Sequence, residues 1–78
     1  MTLESLQHGK RYVIVAVACA DPMVQRLMVL GLVEGAEIEL VSIAIGGDPL
    51  EFRLYGMSIS LRREHARFFA VSPLANVS

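Results

Sequence analysis

Residues 50–61 read LEFRLYGMSISL, and this stretch predicts a β-hairpin. Apolar residues alternate with polar ones on both sides of Gly56. They are Leu50, Phe52 and Leu54 before the turn and Met57, Ile59 and Leu61 after it. A period of two places every second side chain on one face of a strand, so the pattern indicates two strands with a shared buried face. The tight reversal between them requires a glycine or another residue that tolerates a left-handed backbone.

The segment before this hairpin, Ala36–Ile45, is also predicted to be a strand. Ile38 and Leu40 are apolar at even positions, whereas the odd positions are apolar from Val41 onwards. The buried face therefore changes within one strand. Such a change predicts a β-bulge or a strong bend, as a barrel requires, and Val41, Ile43 and Ile45 are expected to face inwards after it.

A strand followed by a short helix is predicted in the first third of the chain. Tyr12–Val17 is apolar and mostly β-branched, which favours a strand with little solvent exposure. Asp21 and Pro22 suit the N-cap and the first position of a helix, predicted over Met23–Leu30. Gly31 supplies a left-handed C-terminal stop.

The ends of the chain complete the predicted pattern. Thr2–Gln7 is expected to form one helical turn capped by Thr2, and Arg62–Arg67 a second short helical segment. Phe68–Val71 reads as the last strand, with Phe69 and Val71 inward, and the tail 73–78 is expected to be frayed. Five short strands with one helix after the first predict a mostly-β fold, a small closed or nearly closed barrel.

Composition limits the classes of function. The 78 residues suit one domain, 1–78, with a core over about 3–71, and 54% of them are hydrophobic. The formal net charge of −1 gives no electrostatic basis for nucleic-acid binding or for a polybasic membrane contact. The single cysteine suits a reducing compartment, and the longest apolar run, Tyr12–Ala20, is far shorter than the ~20 residues of a membrane-spanning helix.

Four segments together resemble the FeoA family. Arg26–Gly35 looks like its R-L-x-x-L-G-[LIM]-x-x-G signature, and residues 47–49 look like its G-D-P turn. The segment 61–66 resembles its L-R-x-x-E-A motif, and Leu3, Leu6 and Gly9 fit its L-x-x-L-x-x-G start. The four segments occur in the family's order over roughly residues 3–71.

This resemblance implies an SH3-like barrel that acts in the cytoplasm as an accessory protein of bacterial ferrous iron uptake. It also implies a partner, the membrane transporter FeoB, which carries a GTPase domain. A second hypothesis is a stand-alone regulatory domain related to the barrel of metal-dependent repressors, binding a peptide or its own copy. A homo-oligomer is compatible with both hypotheses. Insertion into the membrane and binding of nucleic acid are not expected.

Neither a catalytic nor a metal site is predicted. The candidate ligands are His8, Cys19, Asp21, Asp48, Glu64 and His65. No two His or Cys residues stand at the spacing of a metal site, and no nucleophile, base and orienting group form a recognisable set. No phosphate-binding glycine motif is present, so any GTPase activity belongs to a partner. We therefore expect a non-enzymatic protein without a cofactor.

The predicted helix carries more apolar side chains than its core face needs. Leu27 and Leu30, with Met23 or Val24 one turn earlier, are expected to form the buried stripe. Met28, Val29 and Leu32 remain outside that stripe. Either the loop after Gly31 folds back over them, or they form an exposed patch for a partner.

The partner-binding residues inferred from this surplus are Met23, Arg26, Met28, Val29, Leu32 and Tyr55. Arg26 belongs to the family signature, and it is either a structural hydrogen-bond donor or a partner contact. Tyr55 has outward parity on its strand and is the one exposed aromatic residue that the pattern predicts.

Overall fold

The computed structural model describes residues 1–18 and 21–74. A 3-10 turn at Leu3–Ser5 precedes the first strand, and Thr2 caps it, as predicted, by accepting a hydrogen bond from the Glu4 backbone N–H. The strands are β1 (Arg11–Val17), β2 (Glu37–Ile43), β3 (Leu50–Leu54), β4 (Met57–Leu61) and β5 (Phe69–Pro73). The helices are α1 (Pro22–Val29) and α2 (Arg63–Ala66).

The five strands form one antiparallel sheet in the order β4-β3-β2-β1-β5. Register shifts occur between Ile14 and Ala16, against β5, and between Leu40 and Ser42, against β3. These irregularities bend the strands, which lets the sheet curl around a single core. The predicted mostly-β architecture with one helix after the first strand is confirmed, and so is the bulge in β2.

The core is built from the concave face of the sheet. Its largest fully buried side chains are Tyr12, Phe52 and Phe69, contributed by β1, β3 and β5. Tyr12 lies opposite Ile38, and Ile38 lies opposite Leu54, so one buried row crosses three strands. The Tyr12 hydroxyl accepts a hydrogen bond from the backbone N–H of Gln7 at 3.2 Å, which satisfies its one polar group.

Helix α1 begins as predicted, because the Asp21 carboxylate accepts a hydrogen bond from the Met23 backbone N–H at 2.8 Å. It ends one residue early, with Leu30 as its C-cap. The Leu32 N–H then donates to the Leu27 carbonyl at 3.1 Å, which turns the chain back towards the sheet. Leu32 is consequently in the core with Val24 and Leu27, whereas Leu30 is not, and the prediction of Leu30 as a core residue was wrong.

Four large apolar residues also depart from expectation. Met57, at the start of β4, is 55% exposed although it was placed on the buried face of the hairpin. Val15 in β1 and Ile43 in β2 are exposed, and Ile45, beyond the end of β2, is fully exposed. The change of parity correctly located the bulge, but the residues after it face solvent because β2 ends at Ile43 and the chain enters a turn. Apolar character alone did not show how far the core extends along each strand.

Arg63 joins three segments that are distant in sequence. Its Nη1 donates to the Glu4 carbonyl at 3.0 Å, and its Nε donates to the Gly47 carbonyl. Its backbone N–H donates to the Asp48 carboxylate at 3.0 Å. The arginine thus fixes the N-terminal turn and the Gly47–Asp48 loop to the start of α2.

Candidate functional site

The exit of α1 and the β3–β4 turn lie against each other. Gly31 has a φ of 120°, and a Cβ at this position would lie 3.2 Å from Leu54 Cδ2 and 3.5 Å from Tyr55 Cε2. Only a residue without a side chain permits this approach and this backbone angle together. Gly31, which follows the end of α1, therefore also allows the close contact between this end of the helix and the Tyr55 ring.

Tyr55 and Gly56 form the two-residue turn between β3 and β4. Their φ angles are 51° and 78°, both positive, as the type I′ hairpin turn requires. A tyrosine is uncommon in this conformation, and its ring is 68% exposed. The turn therefore presents an aromatic side chain to solvent beside the end of α1.

We define the helix–hairpin surface as Met23, Arg26, Val29, Leu30 and Tyr55. Val29 is 87% exposed and Leu30 is 52% exposed, and Met23 is also exposed. Met23, Arg26 and Leu30 are three and four residues apart, so they lie along one side of α1. An apolar surface with one arginine and one tyrosine has the composition typical of the centre of a protein–protein interface.

The predicted partner-binding residues fall into three groups. Met23, Arg26, Val29 and Tyr55 are accessible. Met28 is partly buried and packs against the core. Leu32 is fully buried, so its assignment to an exposed patch is corrected: the chain folds back after Gly31 and the side chain fills the core. Leu30, which was predicted to lie in the core, is exposed and belongs to this surface.

Arg26 was predicted either to bond nearby carbonyls or a carboxylate such as Glu34 or Asp21, or to contact a partner. The side chain is exposed, and within residues 1–18 and 21–74 its guanidinium donates no hydrogen bond to Glu34 or to any backbone carbonyl. A contact between Arg26 and a partner stays a prediction.

A groove of about 340 Å³ adjoins this surface on the convex face of the sheet. Arg11, Glu39 and Arg53 lie in one cross-strand row along it, and Glu37 and Tyr55 also line it. The two arginines are matched by two glutamates, so the groove offers neither the positive field that phosphates need nor a cluster of carboxylates for a cation.

The candidate metal ligands do not come together. Among the residues that the structure describes, no three His, Cys, Asp or Glu side chains lie close enough to hold a metal ion, and Cys19 lies outside those residues. Asp48 accepts the Arg63 N–H, and Asp21 caps α1. Both carboxylates thus already have structural roles.

We expect the isolated protein to bind neither Fe²⁺ nor Zn²⁺ tightly, because a stable site needs several ligands in a fixed geometry. Isothermal titration calorimetry of the reduced protein should show no stoichiometric binding below about 1 μM, an affinity of ~8 kcal/mol. Stoichiometric sub-micromolar binding that is lost in His8→Ala or Cys19→Ser would contradict this expectation.

In the described part of the chain, no helix has the length and hydropathy needed to cross a membrane.

The curled five-stranded antiparallel sheet with a short helix after its first strand is the architecture of a small SH3-like protein. The chain belongs to the FeoA family, whose domain model matches residues 1–73. The four sequence segments identified above lie within this match.

Solved structures agree with this assignment. The FeoA protein of Chlorobium tepidum is 37% identical, with a TM-score of 0.88 over 100% of this chain and 74% of its own. The FeoA of Stenotrophomonas maltophilia, solved with zinc, is 30% identical, with a TM-score of 0.81 over 92% of this chain and 89% of its own. That protein is described as a procaryotic SH3 domain protein and a candidate activating factor of ferrous iron transport.

A more distant structure shares the fold alone. The manganese regulator SloR is 13% identical, with a TM-score of 0.76 over 95% of this chain and 34% of its own. Among curated proteins, none matches this chain.

Proposed function

We propose that the protein is a non-enzymatic accessory module of bacterial ferrous iron uptake, and that its helix–hairpin surface docks on the cytoplasmic part of a FeoB-type transporter. Membership of the FeoA family and the description of its Stenotrophomonas relative support the role in iron transport. In this role the protein acts in the cytoplasm and modulates the conformation or nucleotide cycle of its partner.

The observation that carries the proposal is the exposure of Val29, Leu30 and Tyr55, with the Tyr55 ring close to Gly31, the residue that follows Leu30. Small soluble domains seldom expose connected apolar side chains without a use for them. A partner that covers these residues gains about 25 cal/mol for each Å² of apolar area removed from water. Arg26 on the same side adds a donor that can bind a carboxylate of the partner in bidentate fashion.

Charge placed at Val29 provides the test. We expect both Val29→Asp and Val29→Lys to abolish co-purification with the full-length transporter, because burying either charge in an apolar contact opposes docking. The substitutions have opposite signs, so loss of binding in both identifies desolvation rather than long-range electrostatics as the cause. The free protein should stay folded, and Lys should be the better tolerated because it meets the negative end of α1.

Ile45 is the matched control. It is fully exposed and apolar, and it lies in the turn after β2, outside the helix–hairpin surface. Ile45→Asp should co-purify with the transporter as the unmodified protein does. If folded Val29 variants bind as well as the Ile45 variant, the docking face is not the helix–hairpin surface.

The regulatory alternative would use the same fold without a transporter. The likeness to SloR supports the fold only, since identity is 13%. Failure of the unmodified protein to co-purify with the transporter, together with binding to a repressor or to a peptide, would favour that alternative.

A further inference from the structure

The two edge strands of the sheet, β5 and β4, differ in whether other residues form hydrogen bonds with their outer sides. At the β5 edge, the Val71 N–H donates to the Met1 carbonyl at 2.9 Å, and Thr2 forms a bridge with Ala70. The first residues thus cover that edge. The other edge is β4, which pairs with β3 on one side and, within the described residues, with no strand on the other.

The hairpin geometry shows which backbone groups β4 leaves open. A two-residue turn makes the flanking pair, Leu54 and Met57, hydrogen-bonded, and bonded and non-bonded pairs then alternate along an antiparallel ladder. In β4, Ser58 and Ser60 therefore belong to the non-hydrogen-bonded pairs, so their backbone N–H and C=O groups point away from β3. In residues 1–18 and 21–74, neither serine donates or accepts a backbone hydrogen bond outside the sheet.

This edge lacks the features that normally discourage pairing. Exposed edge strands are commonly protected by charged side chains, by proline or by a bulge. The sequence of β4, Met57-Ser58-Ile59-Ser60-Leu61, has no charge and no proline, and its register with β3 is regular.

The strand is also complementary to itself. In an antiparallel pair of β4 strands centred on Ile59, each Ser58 lies opposite Ser60 of the other copy, so all four outward groups of each strand find partners. Met57, which is 55% exposed, then lies beside the second copy's Leu61. No charged residue of β4 opposes another, because the strand has none.

We propose that the protein self-associates through β4, in a two-fold symmetric dimer that joins two five-stranded sheets into one of ten strands. The occupant of the edge is a second copy because one strand supplies both complementary halves, as an isologous contact requires. A five-residue contact is small by comparison with stable interfaces, so the dimer is reversible and depends on concentration.

Analytical ultracentrifugation over a wide concentration range tests the proposal. The unmodified protein should shift from the 8.5 kDa mass of one chain towards twice that value as concentration rises to about 1 mM, near the weak limit of specific affinity. Ser60→Pro removes an outward N–H that β3 does not use, so the variant should fold but remain monomeric. Ser60→Thr keeps the N–H and suits a strand, so it should dimerise as the unmodified protein does.

A measurement without substitution covers the case in which Ser60→Pro fails to fold. Amide hydrogen exchange at Ser58 and Ser60 should slow as the concentration of the unmodified protein rises, while exchange at the covered β5 edge should not change.

Two results would overturn the proposal. The first is a monomer at every concentration, and the second is dimerisation that persists in folded Ser60→Pro. If the first result is found and Ser60→Pro also loses co-purification with the transporter, the edge belongs to an extended segment of that partner instead of a second copy.

Discussion

Replacing Leu61 with alanine should lower the free energy of unfolding by about 2–5 kcal/mol, because the substitution removes Cγ and both Cδ methyl groups from a close-packed site. Leu61 is only 3% exposed, and it lies opposite Leu50 at the end of β4 where the sheet meets the core. Equilibrium unfolding in urea measures the loss. A domain of this size has a total stability of roughly 4–12 kcal/mol, so the variant would be near its folding threshold.

Met57 provides the matched control, because it lies on the same strand and on the same face as Leu61. It is 55% exposed, so Met57→Ala should cost less than about 1 kcal/mol. A loss below 0.5 kcal/mol for Leu61→Ala, on the order of a surface substitution, would show that the faces of β4 are wrongly assigned. Equal large losses for both variants would show that the core extends further along β4 than the structure indicates.

Arg63→Ala should also destabilise the fold, by about 2–4 kcal/mol, because it leaves the carbonyls of Glu4 and Gly47 without their charged donor. Each lost hydrogen bond from a charged group contributes about 1.5–3 kcal/mol, and the partial exposure of Arg63 favours the lower part of that range. Urea unfolding measures the total effect. Amide exchange should show increased opening of the N-terminal turn and of the Gly47–Asp48 loop.

Arg63→Lys distinguishes the geometry of this contact from its charge. A guanidinium donates in fixed directions from several nitrogens, whereas an ammonium is a single point donor. We therefore expect lysine to recover less than half of the stability lost in the alanine variant. Full recovery by lysine would mean that charge alone matters at this site.

Local features of the fold were predictable from sequence because local chemistry determines them. Thr2 and Asp21 cap helical turns with their own side chains, and a left-handed glycine follows α1. The alternation in 50–61 predicted both strands of the hairpin, and Phe52 and Phe69 are in the core as expected.

The extent of burial was not predictable in the same way. Leu30 and Leu32 are chemically identical, yet the first is exposed at the C-cap of α1 and the second is buried because the chain turns back after Gly31. Ile43 and Ile45 follow a correctly predicted bulge, but the strand has by then left the core. Both outcomes depend on packing between distant segments, which periodicity does not encode.

In the candidate site, too, features that depend on local sequence were predictable and features that depend on contacts between distant segments were not. Tyr55 was predicted to be exposed from outward parity on a strand, and it is exposed, but it lies in the turn between β3 and β4. Its contact with the exit of α1 depends on Gly31 and on the fold as a whole. Arg63 had no signature at all, because its side-chain acceptors are backbone carbonyls 59 and 16 residues away. Backbone acceptors exist at every position, so no residue type marks them in a sequence.

The two tyrosines give the protein a pair of optical reporters with opposite environments. The chain has no tryptophan, so tyrosine dominates its ultraviolet fluorescence. Tyr12 is enclosed in the core, whereas the Tyr55 ring is open to collision with iodide or acrylamide. Stern–Volmer quenching of the folded protein therefore reports on Tyr55 alone, and a ligand without aromatic residues that covers the hairpin would remove the quenchable fraction without any label.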